Sequence, residues 1–240
     1  MLRTHLQIVR SPGTGFTLVE LLVVVAIVGL LGALAVPVVG QSLSAAKRAG
    51  CASNMRQIGI AMHLYAQDHD GWLPESSHVS TSRSWIYTLE PYLGEQFEEV
   101  RICPADPRAD QRRQAGGSSY VLNEFTSLDV TDPFGNLLEA SHRHLRRMVQ
   151  PSRTLILFTV SDRVGVSAAN DHTHSRNWGK GWQSIVADIQ PDRHRSGAAS
   201  PDSTKGSANY LYADGHVENI PARSLKQLVD QGINPARPPS

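Results

Sequence analysis

One carboxylate, two thiols and several imidazoles are the residues whose types and spacing could do chemistry. Glu20 is the only charged residue between Phe16 and Val39, and an ionisable group in so apolar a segment is costly enough to be functional by default. Thr17-x-x-Glu20 also matches a capping box, in which hydroxyl and carboxylate satisfy N–H groups at a helix start. Cys51 and Cys103 are too few for a four-cysteine zinc cage. In an oxidising compartment they could close a disulfide worth roughly 4 kcal/mol in the chain-entropy model; the alternative is two buried thiols. His194, Asp214 and His216 carry donors suited to a divalent metal, although Asp214-Gly215 also reads as a turn. His142 with His144, and Asp171-His172-Thr173-His174, lie in polar surroundings and read as solvated loops. The sequence contains no G-x-S-x-G elbow, phosphate-cradling loop or H-E-x-x-H helix, so neither catalytic residues nor an enzymatic activity are expected.

These groups must be held by a chain of 240 residues with a net charge of +1. Without a concentrated basic face, nucleic acid is not an expected partner. Residues 16–40 are long enough as a helix to cross a hydrocarbon core of about 30 Å, and the apolar run exceeds that of a secretory signal peptide. Arg3 and Arg10 precede the span while Lys47, Arg48 and Arg56 follow it, so charge alone leaves the orientation divided. A short leader with nothing to fold places residues 1–15 in the cytoplasm and the bulk outside. Pro37 favours a kink. Beyond it, Cys51, Met55, Ile58, Met62 and Tyr65 form an apolar stripe, predicting one helix from about Phe16 to Gln67, roughly 75 Å at the standard rise. It stops at Asp70-Gly71 and Pro74. Asp68-x-Asp70-Gly71 resembles the opening of a calcium loop but lacks its remaining ligands.

The rest supplies a small sheet and short helices. "SWIYTLEPYL" (84–93) has helical spacing, "RTLILFTVSD" (153–162) reads as a buried strand, and "SIVADI" (184–189) as a further strand. "NYLYADGHVENI" reads as a hairpin with a two-residue I′ turn. "ARSLKQLVDQG" (222–232) is a terminal amphipathic helix, and residues 234–240 a disordered tail. The fold class is α+β: a long N-terminal helix packed on a small antiparallel sheet. The expected units are a leader (1–15), an assembly helix (16–40), a globular domain (41–233) and the tail.

The string G-F-T-L-V-E-L-L (15–22) resembles the N-terminus of type IV pilins and type II secretion pseudopilins. "CASNMRQIGIAMHLYAQDHDGWLP", "ICPADP" (102–107), "SYVLN" (119–123) and "ADGHVE" (213–218) resemble a group of pseudopilin-like proteins with a C-terminal His…Asp-Gly signature. Here the candidate histidine, His194, stands farther from Asp214 than in that pattern, with "AASPDSTKGS" between them. The resemblance implies a pilin-like fold and cleavage between Gly15 and Phe16 by a prepilin peptidase. It further implies N-methylation of Phe16 and use of Glu20 in filament assembly. Implied partners are that peptidase, other pilin or pseudopilin subunits and an inner-membrane assembly platform. The implied location is a single pass through the cytoplasmic membrane, with the globular domain outside, in a periplasmic or surface filament. The alternative is a membrane-anchored extracytoplasmic domain that binds a metal or ligand through His194, Asp214 and His216.

Overall fold

The computed structural model describes residues 16–78, 82 and 84–239, without the side chains of 34–37. The expected leader, including Gly15, lies outside them. The chain divides into two compact units at Gln41/Ser42.

A single helix, α1 (Leu18–Asp68), runs unbroken across that position and through Pro37. In the first unit it is built from Leu, Val and Ala, and its most apolar 18-residue window has a mean hydropathy of 2.9 with none of it buried. Leu18, Leu22, Val25 and Leu30 each expose more than half of their surface. An apolar helix covered by nothing is unstable in water and suits a lipid or helix-bundle environment.

The second unit is organised around a four-stranded antiparallel sheet in the order β1 (Tyr120–Leu122), β4 (Leu155–Thr159), β5 (Ser207–Tyr212), β6 (Val217–Pro221). A separate hairpin pairs β2 (Val130–Thr131) with β3 (Leu137–Glu139). In β1 and β5 side chains alternate across the sheet, as the strand period requires. Tyr120, Leu122 and Leu211 join the stripe Cys51, Met55, Ile58 and Met62 of α1 in one cluster. Val121, Phe158, Ala208 and Tyr210 point the other way, against Trp178, Trp182 and Ile185. Burying Met55, Ile58 and Met62 stabilises the fold by about 1.5–3 kcal/mol each. Close approach of helix and sheet depends on Gly59, where a Cβ would stand 3.0 Å from Leu211 Cδ1.

The α+β expectation, the helix stripe and the β4 strand all appear. "SWIYTLEPYL" forms α2 (Trp85–Thr88) and α3 (Glu90–Leu93). The α4 helix (Phe97–Val100) and α5 helix (Ala109–Gln114) precede β1. Asp70 and Gly71 both take positive φ, 54° and 91°, as the turn reading of "DHDG" requires.

Three expectations are corrected. "SIVADI" belongs to a helix, α6 (Trp182–Asp188), because Trp182, Ile185, Val186 and Ile189 repeat at helical spacing and are all buried. The β5–β6 turn is not a two-residue I′ turn, which needs positive φ at both centres. Among the described residues of this turn only Gly215 has it, at 90°. Gly215 N donates to Tyr212 O and Tyr212 N to His216 O, giving a longer loop. The tail is not disordered over residues 234–239: after α7 (Ala222–Asp230) the chain packs back, Ala236 is 1% exposed, and its carbonyl accepts from Asn123 Nδ2 at 2.7 Å.

Candidate functional site

Three groups of polar side chains carry the chemistry of this chain. The first lies at the start of α1. Thr17 donates from both its backbone N and its hydroxyl to Glu20 Oε2, at 2.8 and 2.7 Å, and Glu20 N donates back to Thr17 Oγ1 at 3.3 Å. This is the reciprocal capping box anticipated from Thr17-x-x-Glu20. It holds the carboxylate one turn from Phe16, itself 73% exposed. Both donors fall on one oxygen, and an ionised carboxylate has about four acceptor sites, so the cap is compatible with a further cation.

The second group is a buried cluster in the second unit. Cys51 and Cys103 are both fully buried and are free thiols. With His194 they place one donor atom each within 4.8 Å of one another. Tyr120 Oη donates to Cys51 Sγ at 3.6 Å. The hydrogen bond from Cys103, reinforced by His194, holds the Cys51 thiol well below its ordinary range. Donating that bond, together with burial, pushes Cys103 up. Thiolate is the form that attacks a disulfide or binds a soft metal. The arrangement brings together the two cysteines singled out in the sequence, as thiols rather than a closed bridge.

His194 is thereby separated from the other two members of the expected metal triad. It pairs with Ser207 at the first residue of β5, whereas Asp214 and His216 lie beyond the last, roughly 20 Å away at the strand rise. The helix gives the same answer. His194 faces Cys51, while a Cβ on Gly215 would approach His63 Nε2 at 3.7 Å, three helical turns farther on. Asp214 and His216 instead satisfy each other, Nδ1 to Oδ1 at 2.5 Å, with the His216 ring stacked 4.1 Å from Tyr212. Burial raises the Asp214 carboxyl, but the His216 bonds outweigh it and hold it below the usual range. The loop insertion between His194 and Asp214 thus leaves them at opposite ends of one strand, and the triad is not a site.

The third group explains why the strings quoted from the sequence occur where they do. Asn54, in "CASNMRQIG", donates to Ile102 O at 2.8 Å, tying α1 to "ICPADP". Asp106, in that string, is buried and accepts from Arg112 Nε (2.9 Å), Ser119 Oγ (2.6 Å) and Arg108 N (2.8 Å). Arg193 Nη1 stands 4.0 Å away. Burial opposes ionisation here, but Arg193, Ser119 and Arg112 together hold the carboxyl below the carboxylate norm. Asn123, closing "SYVLN", donates to Leu155 O and Ala236 O, both at 2.7 Å, and accepts from Ser175 Oγ at 2.9 Å. These polar residues fasten loops to the sheet. Sequence reasoning missed their roles because most of their partners, backbone carbonyls and side chains alike, stand on other elements of the fold.

The histidine runs divide. His142 is exposed and His144 half-buried, but Asp171, His172 and Thr173 are buried, at 0, 9 and 0% exposure. The expectation of a solvated loop is wrong there. Asp171 accepts from Ser77, Ser84 and His172, which draws the segment inward.

Residues 44–113 match a family model described as "Protein of unknown function (DUF1559)". The matched stretch contains the packed half of α1, Asn54, both cysteines and Asp106; it includes neither Phe16 and Glu20 nor His194. No curated protein matches the chain, and no solved structure does.

Proposed function

We propose that the protein is a pilin-like structural subunit of a type II secretion pseudopilus or related type IV-like filament. In this reading a prepilin peptidase cuts between Gly15 and Phe16, the new terminus is N-methylated, and an inner-membrane assembly platform stacks the subunits. The chain itself performs no reaction. The observation that carries the reading is an apolar helix, uncovered among the described residues, that starts at Leu18, two residues after Phe16, and keeps a single carboxylate, Glu20, in its first turn. The matched family is typically found in pilin-like chains, which supports the same class.

The chemistry follows from the cut. Cleavage leaves a cationic amine on Phe16 among apolar helices, where an unpaired charge is costly. Glu20 of a neighbouring subunit compensates it, with an attraction of about 4 kcal/mol at 4 Å and an effective dielectric near 20, before desolvation is subtracted. Such a pair sets the axial stagger of packed helices as well as their affinity. A simple anchor gains nothing from an intramembrane carboxylate, which separates this reading from a tethered binding domain. Mass spectrometry of the cellular protein tests the cut: a mature chain beginning at methylated Phe16 is expected, and one still beginning at Met1 overturns the proposal.

A further inference from the structure

His172 and His174 sit two residues apart on an extended segment beside β1: Leu122 N donates to Asp171 O and Thr173 N to Leu122 O, both at 2.8 Å. That spacing puts their rings on one side. His78 arrives from the segment after α1. Its ring centroid lies 4.3 Å from that of His172, which is 5.4 Å from that of His174. One nitrogen from each ring lies within 4.8 Å of the other two.

The surroundings are built to hold them there. The Asp171 carboxylate accepts from Ser77 N (2.8 Å), Ser77 Oγ (2.9 Å) and Ser84 Oγ (2.5 Å), pinning the chain on both sides of His78. The same carboxylate meets His172 Nδ1 at 2.9 Å, so the proton sits on Nδ1 and the lone pair on Nε2. His172 Nε2 is buried and has no hydrogen-bond partner among the described residues. His174 is oriented by Asp188, which accepts from its backbone N at 2.8 Å and lies 3.4 Å from its Nδ1. A buried ring nitrogen with its lone pair exposed to nothing is a cost. Three imidazole nitrogens converging on one point offer a ready-made donor set for a cation.

We propose that His78, His172 and His174 bind one divalent transition-metal ion of the zinc type. Neutral imidazole suits zinc, copper and nickel, and three protein ligands leave a fourth position open. Two of the three rings carry the carboxylate partner typical of metal-bound histidine, which fixes the tautomer and raises ligand basicity. His78 and His174 line a cavity of about 570 Å³ whose wall also holds Glu75, Glu124, Asp129 and Arg143, which gives an ion a route to the rings. The ion would fasten the segment bearing His78 to the body of the domain. This site does not depend on the filament reading and shares no residue with it.

The test uses the full chain in detergent micelles, stripped with a chelator and titrated with Co²⁺ and then Zn²⁺. One Co²⁺ per chain with the visible bands of a four-coordinate nitrogen/oxygen site, displaced by one equivalent of Zn²⁺, is expected. His78→Ala and His174→Ala should each weaken Zn²⁺ about 100-fold, and Asp188→Asn about 10-fold, while His216→Ala leaves it unchanged. The first two alter exposed rings, so circular dichroism should match wild type. No binding by the wild-type chain, or binding that both alanine variants retain, overturns the proposal. So does a thiolate-to-cobalt charge-transfer band, which would place the ion at Cys51, Cys103 and His194 instead.

Discussion

Replacing Asp106 by asparagine keeps its shape and removes its charge, at a point where two arginines depend on it. The Asp106, Arg112 and Arg193 side chains are 0, 1 and 1% exposed. Removing one partner of a buried pair costs about 3–5 kcal/mol, because the other charge is left in a medium that cannot solvate it. Arg193 keeps a second carboxylate, Asp162, at 2.7 Å, so the lower end, about 3 kcal/mol, is expected. For a unit of this size that lowers Tm by roughly 6–12 °C, measurable by circular dichroism on the chain in micelles. The acid limb gives an independent check. The Asp106 carboxyl is held below its ordinary value, so its contribution is fully present above the unfolded pKa of about 3.9 and is lost as pH falls through the lower folded value. Wild type should therefore lose stability steeply below about pH 4, and Asp106→Asn less so. A variant whose Tm falls by under about 2 °C, or whose acid limb parallels the wild type, would refute the argument that this carboxylate fastens the α5 loop to the sheet.

Three further outcomes are expected. Glu20→Ala should be cleaved normally but excluded from filaments when co-expressed with wild type; normal co-assembly, read by cross-linking, counts against the stagger argument. If the domain is exported, as the proposed function implies, Cys51 and Cys103 should transfer two protons and two electrons to an exchanging disulfide and close, making the chain two hydrogens lighter. Cys51→Ser should then cost roughly 4 kcal/mol in oxidising conditions; two reactive thiols in the denatured exported protein would exclude the bridge. Gly117→Ala should destabilise the domain by about 3 kcal/mol, since a Cβ there would meet Val166 O at 1.9 Å, a backbone atom that cannot swing aside; a neutral result in denaturant melts would show that the loop simply shifts.

Local periodicity made several elements legible from sequence. The stripe from Cys51 to Met62 is a pattern over adjacent helical turns, so its burial follows from spacing once a sheet exists to cover it. The same holds for the run at β4 and for the capping box at Thr17 and Glu20, where the partners lie three residues apart. "SIVADI" was misread because a six-residue apolar run fits either period, and Trp182, which settles it, stands outside the run. The tail was misread because its composition is that of a loop, and only the distant Asn123 and Ser175 make it a packed one.

What the chain determines by itself, then, is the long apolar helix with its one carboxylate, the stripe that follows, the β4 run and the β5–β6 hairpin, because each is written in neighbouring residues. What only tertiary structure decides is which remote polar groups meet. It parts His194 from Asp214 along β5 and joins it to two cysteines from other segments. It also brings His78 to His172 and His174 through a buried aspartate. Sequence separation carries no information about such meetings; the path of the sheet and the loops pinned to it does.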